Sequence, residues 1–256
     1  MEITNFKKGK SNIYEITIDY KDTYNLYDDI ILKYELLIDK SLNPSKLKTI
    51  LNENEKMEAY YKALKYLGIK MRSELEIKKY LKKYEINESS INYAIDKLKS
   101  EGYIDAERYA KSFISDQLTL TLNGPKKIKE DLKKVGTPEN IIISFLENID
   151  DSTWHERITK IIDKKAKVNK NSLSLFKNKT YSNLIMMGYE STMINSILDN
   201  YKLDTSESFK KDANKIWNQV TKKYDGSDRV LQFKNKMYQK GYTIDEINSY
   251  VHSIDT

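Results

Sequence analysis

A segment of eighteen residues recurs four times without a gap, at Leu81–Leu98, Leu132–Ile149, Leu184–Tyr201 and Met237–Ile254, with starts 51, 52 and 53 residues apart. Self-similarity at a fixed period is the mark of a tandem architecture and decides the fold before any single element does. Four places into the copies stand Glu85, Gly136, Gly188 and Gly241. Ten places in stand Ile91, Ile142, Ile194 and Ile247, and fourteen places in stand Ile95, Leu146, Leu198 and Val251.

A helix that stops at Leu-x-x-x-Gly uses glycine for its left-handed closing residue. The next helix then carries apolar residues four apart, which lie on one face. Pro138 suits a first helical turn, and Thr243-Ile244-Asp245-Glu246 reads as a capping box. Glu85 has no glycine's freedom, so the first copy is expected to turn differently. Each copy has room for an earlier helix, at Glu55–Leu67, Ala106–Leu118, Ser152–Ala166 and Glu207–Lys223. The expectation is four three-helix units at 55–104, 105–151, 152–204 and 205–256, each too small to bury much surface alone and therefore stacked on its neighbours. Two-helix repeats have shorter periods of roughly 33 to 47 residues.

Residues 1–54 follow another rule. Tyr14, Ile16, Ile18 and Tyr20 alternate with Glu15, Thr17 and Asp19, a strand period, with Ile3–Lys7 and Thr23–Leu26 as partners and a short helix at Asp28–Leu36. The fold class expected is mainly α: an elongated tandem array of three-helix, helix-turn-helix-like repeats preceded by a small N-terminal β-hairpin region. Composition agrees. Eight glycines and three prolines are too few to punctuate a sandwich or barrel. Apolar residues make up 39% against 32% charged, which suits units that bury one stripe each.

No run of 18 apolar residues and no apolar leader core is found, so a cytoplasmic chain without a membrane span is expected. The absence of cysteine excludes disulfides and thiolate chemistry. His155 and His252, the only histidines, stand in different copies with no triad or metal-ligand spacing around them. Asn123-Gly124-Pro125 is a turn before a helix, not a phosphate loop. No enzyme, cofactor or metal is expected.

Net charge is +6, spread as −1, +3, −2, +4 and +2 over the N-terminal region and the four units. AT-rich coding explains an abundance of Lys, Ile, Asn and Tyr as well as function does. The placing is more informative than the total. Lys160, Lys164, Lys165, Lys167, Lys170, Lys177 and Lys179 have only Asp163 among them, a candidate phosphate-facing stripe. Lys126, Lys127, Lys129, Lys133 and Lys134 follow Gly124-Pro125, where a helix N-terminus would add partial positive charge for an anion. Tyr60, Tyr61, Tyr80, Tyr84, Tyr103 and Tyr109 are expected at helix interfaces rather than under stacked bases.

The first two units resemble the RecX family. The likeness rests on Ala59-x-x-x-Ala63-Leu64-x-x-Leu67, then Arg72-Ser73-x-x-Glu76-Ile77 and Leu81, and on Gly102-Tyr103-Ile104-Asp105-Ala106-Glu107-Arg108-Tyr109-Ala110. Gly124, Ile128, Leu132, Lys134 and Gly136 continue the order, while Ala106 replaces the family's second aspartate. The N-terminal region, with Asp28-Asp29-Ile30 and Tyr34, looks like the leader of the longer members.

The resemblance implies a bacterial regulator of the RecA recombinase, one that lies in the groove of RecA filaments on single-stranded DNA and restrains ATP hydrolysis, strand exchange and the DNA-damage response. RecA and single-stranded DNA are then the expected partners of a monomer. The candidate filament-binding residues are Arg72, Arg108, Lys126, Lys127, Lys129, Lys133, Lys134, Lys164, Lys165, Lys167 and Lys170. The alternatives are a winged-helix regulator reading duplex DNA and a helical scaffold indifferent to DNA.

Overall fold

The computed structural model describes residues 1–254. Three antiparallel strands, β1 (Ile3–Lys8), β2 (Ile13–Ile18) and β3 (Asp22–Tyr27), form a sheet in the order β1-β2-β3. Ile16 pairs with Phe6 on one side and Tyr24 on the other. The expected strand over 14–20 ends at Ile18, because Asp19 and Tyr20 both take positive φ and close the hairpin through Lys21 N–H donating to the Ile18 carbonyl. Ile3, Ile16, Ile18 and Leu26 face inward and are fully buried, whereas Tyr20, the last apolar residue of the alternation, is 88% exposed at the turn. A short helix, α1 (Asp28–Lys33), follows and stops before Glu35, whose φ is 51°.

Twelve further helices follow among the described residues, in four successions of three: α2 (Pro44–Leu67), α3 (Glu74–Lys82) and α4 (Glu88–Ser100); α5 (Ala106–Leu120), α6 (Pro125–Lys134) and α7 (Glu139–Glu147); α8 (Asp151–Ala166), α9 (Leu173–Met186) and α10 (Ser191–Leu198); α11 (Ser206–Thr221), α12 (Gly226–Gln239) and α13 (Ile244–Ile254). The fold is thus mainly α with a small N-terminal sheet. Helix α2 begins at Pro44 rather than Glu55, since Asn43 caps it by accepting from Lys46 N–H and proline suits the first turn.

The recurring segments share one local mechanism. In each of the last three copies the helix closes with a pair of nested hydrogen bonds: Thr137 N–H to Leu132, Tyr189 N–H to Leu184 and Tyr242 N–H to Met237 form the outer bond, around glycines at φ 80 to 87°. Glu85 also takes a left-handed φ, 58°, and its N–H donates to the Lys82 carbonyl, but Leu81 accepts from Tyr84 N–H rather than from Ile86, so the first copy keeps the left-handed residue without the outer bond. The residue after the turn is buried in every copy, as Ile86, Thr137, Tyr189 and Tyr242. Leu81, Leu132, Leu184 and Met237 are fully buried, as are Ile91, Ile142 and Ile194; Leu146 alone among the fourteenth-place residues is only half-buried. Ser73 with Glu76 and Thr243 with Glu246 form reciprocal capping boxes at α3 and α13, each worth about 1 kcal/mol.

The chain divides into two compact units, Met1–Phe113 with Leu132–Ile142, and Ile114–Asp131 with Ile143 onward. In the first, the inner face of the sheet, α1 and helices α2 to α4 share one core that includes Ile16, Leu36, Ile50, Ala63, Leu81 and Ile91. Asn54 of α2 joins the open edge of β3, accepting from Tyr27 N–H at 2.9 Å and donating to the Asn25 carbonyl at 3.0 Å. Tyr66 and Tyr80 stack at 4.0 Å between α2 and α3, and Tyr84 meets Tyr80 edge-on. In the second unit, α11 to α13 close over Ala213, Ile216, Val220, Phe233, Met237 and Val251.

Candidate nucleic-acid interface

Helix α8 sorts its side chains by period. Trp154, Arg157, Ile158, Ile161 and Ile162 are buried on one side. Lys160, Lys164 and Lys167 recur at i, i+4 and i+7 on the other and are exposed, so their ammonium groups line one row along the helix. With Leu122, His155 and Thr159 they border an open groove of about 700 Å³. Among the described residues none of these three lysines is held in an ion pair. Two carboxylates, Glu156 and Asp163, line the same groove, and Asp163 accepts a hydrogen bond from the Tyr201 hydroxyl at 2.8 Å. Burial and that bond push the Tyr201 phenol up to about 12. The groove thus carries three lysines without an ion-pair partner among the described residues, beside the two carboxylates Glu156 and Asp163.

The groove is held in place by Arg157. Its guanidinium donates to the carbonyls of Leu118 and Thr121 at 2.7 Å and to those of Gln117 and Asn123 at 3.3 Å, closing the C-terminal end of α5. It lies against the Trp154 ring at 5.8 Å. The Tyr189 hydroxyl donates to the Leu122 carbonyl at 2.8 Å. Four carbonyls gathered on one planar cation need the guanidinium fork, which an ammonium does not offer.

The second lysine cluster is arranged otherwise. The α6 N-terminus, expected to offer N–H groups to an anion, is closed by the protein itself. Lys126 N–H donates to the Gly188 carbonyl at 3.0 Å and Gly124 N–H to the Met187 carbonyl at 2.7 Å. The fit is so close that a Cβ on Gly188 would lie 2.3 Å from Lys127 N. The side chains are paired as well: Lys126 with Glu190 at 2.9 Å, Lys127 with Asp131 at 3.4 Å and Lys133 with Glu139 at 2.7 Å. Lys129 and Lys134 are likewise engaged.

Of the remaining candidates, Arg72 lies 4.1 Å from the Tyr66 ring centroid and 3.4 Å from Glu76, packed into the tyrosine stack. Arg108 is exposed and donates to the Gly102 carbonyl at 2.6 Å, with Asp105 capping the start of α5 beside it. Lys164 and Lys167 share the α8 row. Lys165 is half-buried on another side of the helix, and Lys170 stands exposed in the loop that follows.

Arg157 is not among the residues that lysine clustering singles out, although the sequence carries a signal for it. The chain holds only four arginines, Arg72, Arg108, Arg157 and Arg229, among 44 basic residues. Three of them lie on an aromatic face: Arg72 on Tyr66, Arg157 on Trp154 and Arg229 on Trp217. In a chain that otherwise uses lysine, arginine marks sites where lysine does not serve.

No helix among the described residues is long and apolar enough to cross a membrane. The family profile described as the RecX first three-helix domain matches residues 59–98. The chain is 28% identical to the regulatory protein RecX of Streptococcus agalactiae serotype III (strain NEM316), covering 97% of this chain and 98% of that one. It is equally 28% identical to that of Bacillus cytotoxicus, over 90% and 93% of the two chains. A crystal structure of a regulatory protein RecX superposes with a TM-score of 0.68 at 22% identity, covering 78% of this chain and 99% of that one, a likeness of fold.

Proposed function

The chain belongs to the RecX family, and we propose that it regulates the RecA recombinase by binding RecA filaments assembled on single-stranded DNA. Its net effect in this reading is inhibitory: a binder seated in the filament groove slows ATP hydrolysis and strand exchange without performing chemistry of its own. The observation that carries the reading, beside the family, is the row of Lys160, Lys164 and Lys167 on α8, none of which is held in an ion pair among the described residues. Cations spaced one helical turn apart and fixed on a rigid element suit a phosphate backbone, whose neutralisation releases counterions and supplies affinity without sequence preference. The paired lysines of α6 suit a lesser role, since exposed ion pairs are worth about 0–1 kcal/mol and yield to a polyanion. The cytoplasm, where such filaments form, is the matching location.

The test is the single-stranded-DNA-dependent ATPase rate of the cognate RecA with this protein titrated in. Substoichiometric amounts are expected to lower the rate. An unchanged rate, with binding to neither filament nor single strands, would overturn the proposal and leave a scaffold for another protein.

A further inference from the structure

The lysine groove of α8 continues beyond the row. Leu122, Glu156 and Lys160 border both it and a second open stretch of about 510 Å³, which is lined on its other side by residues 118–122 at and after the end of α5. These five residues read Leu-Thr-Leu-Thr-Leu. Leu120 is 78% exposed, and Leu118 and Leu122 are half-buried. The backbone that carries them is tied down. Arg157 takes the carbonyls of Leu118 and Thr121 at 2.7 Å, and the Tyr189 hydroxyl takes that of Leu122 at 2.8 Å. The leucines therefore stand beside the lysine groove on a fixed support.

His155 adds a flat face to the same groove. Its Nδ1 lies 2.8 Å from the Asp151 carbonyl oxygen. A carbonyl only accepts, so Nδ1 carries the hydrogen and the bond orients the ring on α8. Charge is sorted along the groove as well. Glu156 stands where the leucines begin, and a carboxylate there disfavours a phosphate beside them. Asp163, within the row, is engaged by the Tyr201 hydroxyl. Lys160, Lys164 and Lys167 favour a phosphate backbone along the helix. The groove thus suits a ligand with one anionic edge and one flat, apolar edge. A nucleic-acid single strand has both. In a duplex the base faces are covered by stacking, and only phosphates and base edges are offered.

We propose that single-stranded DNA lies in this groove with its phosphates along the lysine row and its unstacked bases against Leu120, Leu122 and His155, so that the leucine stretch selects single strands over duplex. The inference rests on the reading of the α8 row as a backbone contact and adds the base side of that site. Phosphate contacts alone serve a duplex as well as a single strand. Apolar wedges and imidazole rings engage base faces only where stacking is opened.

The test uses a fluorescent oligothymidylate of about 16 nucleotides, free and paired with oligodeoxyadenylate, and reads binding by anisotropy. The unmodified chain is expected to favour the single strand. L120S, a change at an exposed position, is expected to lower single-strand affinity about tenfold. Duplex affinity and salt slope stay as they were, because no charge is removed. H155A is expected to act in the same sense. Circular dichroism confirms that each variant is folded. A folded L120S that binds the single strand as tightly as the unmodified chain overturns the proposal, and so does an equal loss for single strand and duplex. A loss seen only with RecA filaments, and not with free single strands, assigns the leucines to RecA and overturns it too. K160E/K164E/K167E separates the two readings. If that variant keeps full single-strand affinity, the backbone reading falls and the proposal with it; if it loses affinity while L120S does not, the proposal alone falls.

Discussion

Arg157 shows how one side chain holds a loop that no regular element covers. Its guanidinium takes the carbonyls of Gln117, Leu118, Thr121 and Asn123 while almost wholly buried, at 8% exposure. Lysine at this position reaches at most part of that set and leaves buried carbonyls without donors, at about 1–3 kcal/mol each. The R157K variant is therefore expected to lose about 2–4 kcal/mol, read as a lowered urea midpoint with an unchanged m value. Half-buried tyrosines make a second prediction at this scale. Burial first, and then the neighbouring carboxylates Asp29 and Glu76, push the phenols of Tyr61 and Tyr109 up to about 12 from 10.0. The folded state thus holds protons that the unfolded chain releases near pH 10. Their stabilisation is whole below pH 10 and is lost as pH rises from 10 towards 12. Tyrosinate absorbance is expected to show a fraction of phenols titrating only as the protein unfolds in that window.

At the scale of the element, α8 divides two roles between its faces through its period. One side is anchored by Trp154, Ile158 and Ile162 and the other presents the lysine row. Because the row is exposed, reversing it leaves the fold intact: K160E/K164E/K167E is expected to unfold within about 0.5 kcal/mol of the unmodified protein. Its affinity for RecA filaments on single strands is expected to fall, and the slope of log affinity against log salt to flatten by about 0.7 for each phosphate no longer neutralised. Equal affinity and slope in the variant would remove α8 from the interface. The turns between elements explain why glycine recurs where it does. Glycine is required at Gly188 by a close backbone approach as well as by its φ of 87°, whereas Glu85 holds φ 58° with its side chain in solvent at a cost of about 1 kcal/mol.

At the scale of the whole molecule, the two units are interleaved along the chain. Leu132–Ile142 belongs with residues 1–113, while Ile114–Asp131 belongs with the later residues. A cut after Phe113 therefore removes part of the first unit, including Gly136 against Leu75 and the Thr137–Pro138 wall of the cleft that contains Arg72 and Tyr109. A chain ending at Phe113 is expected to melt about 5 °C or more below one ending at Ile149, on the scale of roughly 4–8 °C per kcal/mol for a domain of this size. Scanning calorimetry decides it. Equal melting temperatures would show that residues 132–142 contribute nothing to that unit.

The repeat, most helix ends and the N-terminal strands are legible in the sequence because each follows from local chemistry, although α2 starts at Pro44, well before the expected Glu55. Period, glycine turns and capping boxes act over a few residues and need no distant partner. The lysine row was legible too, as a run with a single acidic residue in it, although Lys165 and Lys170 fell away from it once helical phase was set. What only the tertiary structure decided lies across larger separations. Arg157 meets carbonyls 34 to 40 positions away, the α6 N-terminus is closed by Met187 and Gly188, and Glu85 takes a left-handed φ as glycine does. Periodicity reports which face a side chain occupies, but not which backbone group lies opposite. Packing alone determines whether a cation or an N–H group meets a protein partner or is left for a ligand.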